Sequence, residues 1–169
     1  MKTCKFTLLL AVIILFAASA NASAAWNPGS HDENNQYWIT EPYEYPIVPG
    51  TGEWAEFKNL SEMVNACAIP KEILDHMTTP ALVQTIIDYP LLANAFMYSN
   101  TCQGLEAVSG YFPALKELAG RRDGWHTVAQ MCWNYRQQNR WAKDDDYNVI
   151  LTEMSYSILL HWTSRHSSF

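Results

Sequence analysis

The chain is poor in the residues that usually announce chemistry. It has 4 cysteines in 169 residues, and no two stand in C-x-x-C spacing, so a structural zinc site built from close ligand pairs has no support. Cys4 precedes the one long apolar run, which leaves Cys67, Cys102 and Cys132 for the rest of the chain. Three thiols allow at most one internal bridge. Only 7 glycines are present, and none forms a glycine-rich loop ahead of a helix, which removes the usual phosphate cradle. There is no G-x-S-x-G, and Ser109-Gly110 alone does not make a nucleophile elbow. Positive charge is also scarce. Lys2 and Lys5 fall in the first 24 residues and no acid does, so the remainder sets nine cations against 17 anions, a balance of −8. Such an excess of acid speaks against nucleic acid and against anionic membrane surfaces as partners.

The apolar run Phe6 to Ala18 follows two lysines and ends in small residues. Both Ala20-Asn21-Ala22 and Ala22-Ser23-Ala24 fit an A-x-A cleavage site, so residues 1–24 read as a signal peptide. Thirteen residues fall short of the ~20 needed to cross a bilayer. The expectation is a product that is secreted or periplasmic, not lipid-anchored, and without stable membrane insertion after cleavage.

Residues 25–54 differ from all that follows. Pro28, Pro42, Pro46 and Pro49 forbid a long helix, since each lacks an amide donor and restricts its predecessor. Trp26, Tyr37, Trp38, Tyr43, Tyr45 and Trp54 make the segment too aromatic to rest in water. It reads as an extended arm that lays its rings against a helical body. Residues 55–169 read as one helical domain. Leu60, Met63, Val64 and Cys67 follow helical spacing, with Asn59 and Glu62 as a capping box. Pro70 and Pro80, the latter behind Thr79 as cap, open two short helices, striped by Ile73, Leu74 and Met77 and by Leu82, Val83, Ile86 and Ile87. Leu91, Leu92, Ala95 and Phe96 follow Pro90, and Leu105 and Val108 follow Thr101. Pro113 opens a helix that stops at Gly120, and Asp123 stands where it can cap the next, striped by Val128, Met131, Cys132 and Tyr135. A last helix starts at Asp144, Asp145 and Asp146, where negative charge suits the helix dipole, with Ile150, Leu151, Met154, Ile158 and Trp162 as its buried face. No segment alternates with period 2. The expected fold is all-α: a compact irregular bundle of seven or eight mostly short helices with an extended N-terminal arm.

Several pieces of the chain also look familiar. Tyr45-Pro46, Pro49-Gly50, the run Ala66-Cys67-Ala68-Ile69-Pro70-Lys71-Glu72-Ile73-Leu74, Met77-Thr78-Thr79, Leu82-Val83, Tyr89-Pro90-Leu91, Leu115-Lys116-Glu117-Leu118 and Arg122-Asp123 together resemble a group of uncharacterised secreted bacterial helical proteins. The resemblance covers about residues 45–123. It implies an exported helical domain and carries no catalytic residue, cofactor or ligand set. From Gly124 onward the chain departs from that group.

The remaining constellations are sparse. Glu72 and His76, four apart on one helix, offer too few ligands for a metal and suit an exposed carboxylate–imidazole contact. Cys132 with His126, or Cys67 with His76, could pair as nucleophile and base, but both thiols lie on stripes that face the core, where a thiol is inert. Paired carboxylates for glycan cleavage have many combinations among 17 acids and no distinctive setting. Aromatic residues are the one surplus: twenty after residue 24, all 7 Trp among them. Trp125, Trp133, Trp141 and Trp162 lie in helical territory, where core packing is the ordinary use. Trp38, Tyr43 and Tyr45 lie in the arm and are the candidate binding residues, since Trp and Tyr suit surfaces with one wet end. The sequence therefore points to an exported, non-enzymatic binding protein with a protein or glycan partner, no metal and no cofactor. A small extracellular hydrolase using paired carboxylates is the alternative.

Overall fold

A computed structural model describes residues 38–140 and 146–166. The expected signal peptide at 1–24, the first part of the expected arm, Trp141, Asp144 and Asp145 lie outside the described residues. Within them the chain forms α1 (Gly52–Ala55), α2 (Leu60–Ala66), α3 (Lys71–His76), α4 (Thr79–Ile87), a 3-10 turn (Leu92–Met97), α5 (Thr101–Ser109), α6 (Pro113–Gly120), α7 (Gly124–Gln138) and α8 (Tyr147–His166). No strand occurs among the described residues; the single β-bridge joins Ile39 to Met77 in parallel. The fold is all-α.

Capping side chains set most of the helix starts. Asn59 accepts from the Glu62 amide at 3.0 Å, while Glu62 reaches one residue further back than a regular capping box, to the Lys58 amide at 2.8 Å. Thr78, not Thr79, caps α4, which places Pro80 one position further into the first turn. Pro70 is itself the residue before α3 rather than its first member. Asn100 caps α5, and Asp146 takes the amides of Asn148 and Val149 at the head of α8. Asp123 does not cap α7. Its carboxylate instead accepts from the Thr79 hydroxyl at 3.0 Å, across 44 residues.

The core is built around α4, whose Leu82, Val83, Thr85 and Ile86 are fully enclosed by α6, α7 and α8. Leu105, Val108, Leu115, Leu118, Val128, Leu159 and Trp162 complete it. Each fully buried Leu, Val or Ile is worth ~1.5–3 kcal/mol over exposure. The α5 helix reaches the 3-10 turn so closely that a Cβ on Gly104 would lie 2.0 Å from the Ala95 carbonyl oxygen; only glycine fits there. Cys67 and Cys132 are buried and all three described cysteines are free thiols, with burial pushing the Cys67 thiol up.

The last helix turns a different face inward from the one its apolar residues suggest. Ser155, Tyr156, Leu159, Trp162 and Thr163 are buried, whereas Ile150 and Met154 are exposed. Two of the buried residues are hydroxylic, and each returns its hydroxyl to its own helix, Ser155 to the Leu151 carbonyl at 2.9 Å and Thr163 to that of Leu159 at 2.8 Å. A hydroxyl satisfied in this way no longer needs water. Leu60, at the first position of α2, is exposed as well.

Candidate functional site

The arm is seated on the joint between α3 and α4 and on the C-terminal turn of α4. Met77 and Thr78 are extended, so the joint has backbone groups that no helix satisfies. Ile39 supplies two of the partners: its amide donates to the His76 carbonyl at 2.8 Å and its carbonyl accepts from the Thr78 amide at 2.9 Å. Arg121 supplies others, donating to the carbonyls of Met77 at 2.6 Å and Leu74 at 3.4 Å while Glu117 holds its Nε at 3.0 Å. These bonds come from segments distant in sequence and add to the local ones, in which the Met77 amide donates to the Leu74 carbonyl and the Thr78 hydroxyl caps α4.

At the far end of α4 the cause is Pro90. A regular helix would bond the amide of residue 90 to Ile86 O and that of Tyr89 to Thr85 O. Proline has no amide to give. Tyr89 therefore closes a tighter turn onto Ile86 O at 3.2 Å, and Thr85 O is left to the Tyr45 hydroxyl, which donates to it at 3.0 Å. The Thr85 hydroxyl accepts from the Tyr43 amide at 2.8 Å and turns its own proton toward the Met77 sulfur. Around these bonds runs a ladder of rings: Tyr43 edge-on to Tyr45 at 5.2 Å, Tyr45 to Tyr89 at 5.7 Å, and Tyr89 stacked flat on Phe112 at 3.7 Å. Burial, reinforced by the neighbouring Tyr89, drives the Tyr45 phenol far above its ordinary range.

Of the three candidate binding residues, Tyr43 and Tyr45 come together here, half-buried and engaged with the body. Trp38, beside the bridge at Ile39, is 41% exposed and stands apart from them. Other large apolar side chains are exposed elsewhere, among them Met97 and Tyr98 at the end of the 3-10 turn. Trp133 on α7 is 62% exposed, and on α8 Tyr147 is 72%, Met154 45% and Ile150 42% exposed. Positions 147, 150 and 154 share one helix face. Arg136, one turn beyond Trp133, reaches Glu153 at 3.6 Å and Ser157 at 3.5 Å, so this end of α7 packs beside α8. Trp133, expected in the core, is thus at the surface, while Trp162 is buried and Trp125 half-buried. The sequence hid this face because α8 is apolar on every side, from Val149 and Ile150 through Ile158, Leu159 and Leu160, so periodicity does not choose among its faces.

The other candidate groups are dispersed. His76 turns its Nδ1 to the Glu72 backbone carbonyl at 2.7 Å rather than to the carboxylate. His126 is exposed while Cys132 is buried, and the same holds for His76 and Cys67. No Asp or Glu among the described residues is buried. The half-buried ones have structural partners: Glu62 the Lys58 amide, Glu117 Arg121, Asp123 Thr79 and Glu153 Arg136. Among the described residues no three His, Cys, Asp or Glu side chains gather closely enough to hold a metal ion, and no helix is long and apolar enough to cross a membrane. Comparison with family models, curated proteins and solved structures finds no match for this chain.

Proposed function

We propose that this chain is an exported, non-enzymatic protein that binds another protein through the apolar face of α7 and α8. The observation that carries the reading is the joint exposure of Trp133, Tyr147, Ile150 and Met154 on that pair of helices. Exposed large apolar side chains gathered on one helix face, as Tyr147, Ile150 and Met154 are, are characteristic of contact sites, and Trp, Tyr and Met are the side chains that interface centres favour. Ile150 and Met154 weigh toward a protein rather than a sugar, because a glycan platform is a flat ring flanked by polar groups. The export signal read in residues 1–24 and the resemblance to secreted bacterial helical proteins support the same reading. The structural engagement of the half-buried carboxylates weighs against the hydrolase alternative.

The test is a pull-down from the native secretome and a glycan array, each run with wild type and with the double variant Trp133→Ser, Tyr147→Ser. A protein captured by wild type and lost with the double variant, at unchanged helical dichroism, supports the proposal. Silence in both assays, capture that survives the double variant, or binding to glycans alone overturns it.

A further inference from the structure

We infer that the seat of the arm is also a docking site for the arm of a second copy of this chain, so that two copies exchange residues 38–48. The seat cannot stand empty without cost. With the arm removed, His76 O, the Thr78 amide and Thr85 O lose their partners, and the ring of Tyr89 and the side chain of Met77, both buried, are uncovered. An occupant must bring an extended backbone in parallel register with Met77 and, four and six residues further on, the Tyr43 amide and the Tyr45 hydroxyl. A second copy brings this set of groups unchanged.

The arm is attached in a way that permits transfer. No residue from Trp38 to Ala66 is buried, and the first that is buried is Cys67. Between Tyr45 and Trp54, both of which pack on the core, Pro46 to Thr51 belong to no helix, α1 beginning at Gly52. This six-residue hinge holds Pro46 and Pro49, which bias Tyr45 and Val48 toward extended backbone. The closed form nevertheless reverses there: the Thr51 amide and hydroxyl both donate to the Val48 carbonyl, at 3.3 and 2.8 Å, and Gly50 sits at φ 93°. Opened, six residues span up to ~20 Å, enough to reach a neighbour. Because the contacts in the seat are the same within one copy and between two, the balance is set by hinge strain against effective concentration. A short flexible connection holds its own arm at a local concentration on the order of millimolar. The wild type is therefore monomeric at micromolar concentration and exchanges as it approaches millimolar. A hinge that resists the turn exchanges sooner, which is the known behaviour of strained hinges.

The experiment compares wild type, Gly50→Val, Tyr45→Ala and Trp133→Ser by native mass spectrometry and size exclusion, after concentration to the millimolar range and rapid dilution. Valine is strained at positive φ, so Gly50→Val is expected to raise the dimer fraction at least tenfold over wild type. Tyr45→Ala is expected to abolish the dimer in the Gly50→Val background, while Trp133→Ser leaves it intact, which separates this inference from the contact face proposed above. Ile39→Pro, which removes the amide bound to His76 O, serves as an independent arm variant, with helical dichroism as the folding control for each. A Gly50→Val protein that stays monomeric at every concentration overturns the inference. So does a dimer that survives both Tyr45→Ala and Ile39→Pro.

Discussion

Replacing Tyr45 with Phe deletes one oxygen and tests the account of how Pro90 shapes the end of α4. The ring ladder from Tyr43 to Phe112 keeps its shape, so little apolar burial changes. What is lost is the bond to Thr85 O, a carbonyl of a residue with no exposed surface. A hydrogen bond is worth ~1 kcal/mol net, and a buried acceptor left without a donor costs ~1–3 kcal/mol. The expected loss is thus about 2 kcal/mol, or roughly 4–8 °C in Tm for a domain of this size. The distinguishing arm is the same substitution made on Pro90→Ala. An alanine there restores an amide, so that residue 90 can bond Ile86 O and Tyr89 can bond Thr85 O in the regular α pattern. Tyr45→Phe should then cost less than ~0.5 kcal/mol, a coupling of about 1.5 kcal/mol, and effects common to both Pro90→Ala proteins cancel in the cycle. Urea unfolding followed by helical dichroism measures all four proteins. Equal cost of Tyr45→Phe in the two backgrounds would refute the proline argument, and a cost near zero in both would refute any structural role for the hydroxyl.

Three further outcomes are expected. Gly104→Ala should lose about 2 kcal/mol or more in the same unfolding assay despite alanine's ~1 kcal/mol helical advantage, because the backbone at Ala95 stands in the way and overpacking of this kind costs ~1–3 kcal/mol or more; Gly120→Ala, with nothing within 4 Å, should be neutral or mildly stabilising. In alkali, burial followed by the nearby Asp88 charge pushes the Tyr156 phenol up from 10.0 to about 12, and Tyr45 and Tyr89 are raised further by burial. The folded state then keeps protons that the unfolded chain gives up, so this contribution is complete below pH 10 and fades above it. Tyr156 alone accounts for ~3 kcal/mol by pH 12, and tyrosinate absorbance from these three rings should rise together with loss of helix, whereas smooth independent titration in a folded protein would contradict it. Finally, a soluble thiol reagent should label Cys102, which is half-buried, well before Cys67 and Cys132, which are buried; equal rates would count against the core described above.

The fold was legible wherever a local signal decided it. Prolines at 80 and 113, the cap at Asn59, and the stripe Leu82, Val83 and Ile86 need only a few neighbouring residues to act. The errors mark places where a distant group took over. Thr79 was available as a cap, but its hydroxyl serves Asp123, 44 residues away, which moved the cap to Thr78 and withdrew Asp123 from α7. The seat of the arm was legible only as a tendency of its rings to find cover, because nothing near Tyr45 names Thr85. On α8 an excess of apolar residues concealed the choice of face, and two hydroxyls turned back onto their own helix took the place of the expected Ile150 and Met154. Trp133, expected in the core, lies on α7 off the stripe of Val128, Met131, Cys132 and Tyr135, and is exposed.

That Tyr45 waits for Thr85 and Pro90 also orders events during synthesis. The arm leaves the ribosome before the helix it rests on, and some forty-five residues separate Tyr45 from Pro90. At 5–20 residues per second that interval is roughly 2–9 s, far longer than the microseconds in which a short helix forms. Through that interval the rings of Tyr43 and Tyr45 lack the cover that α4 and Tyr89 give them.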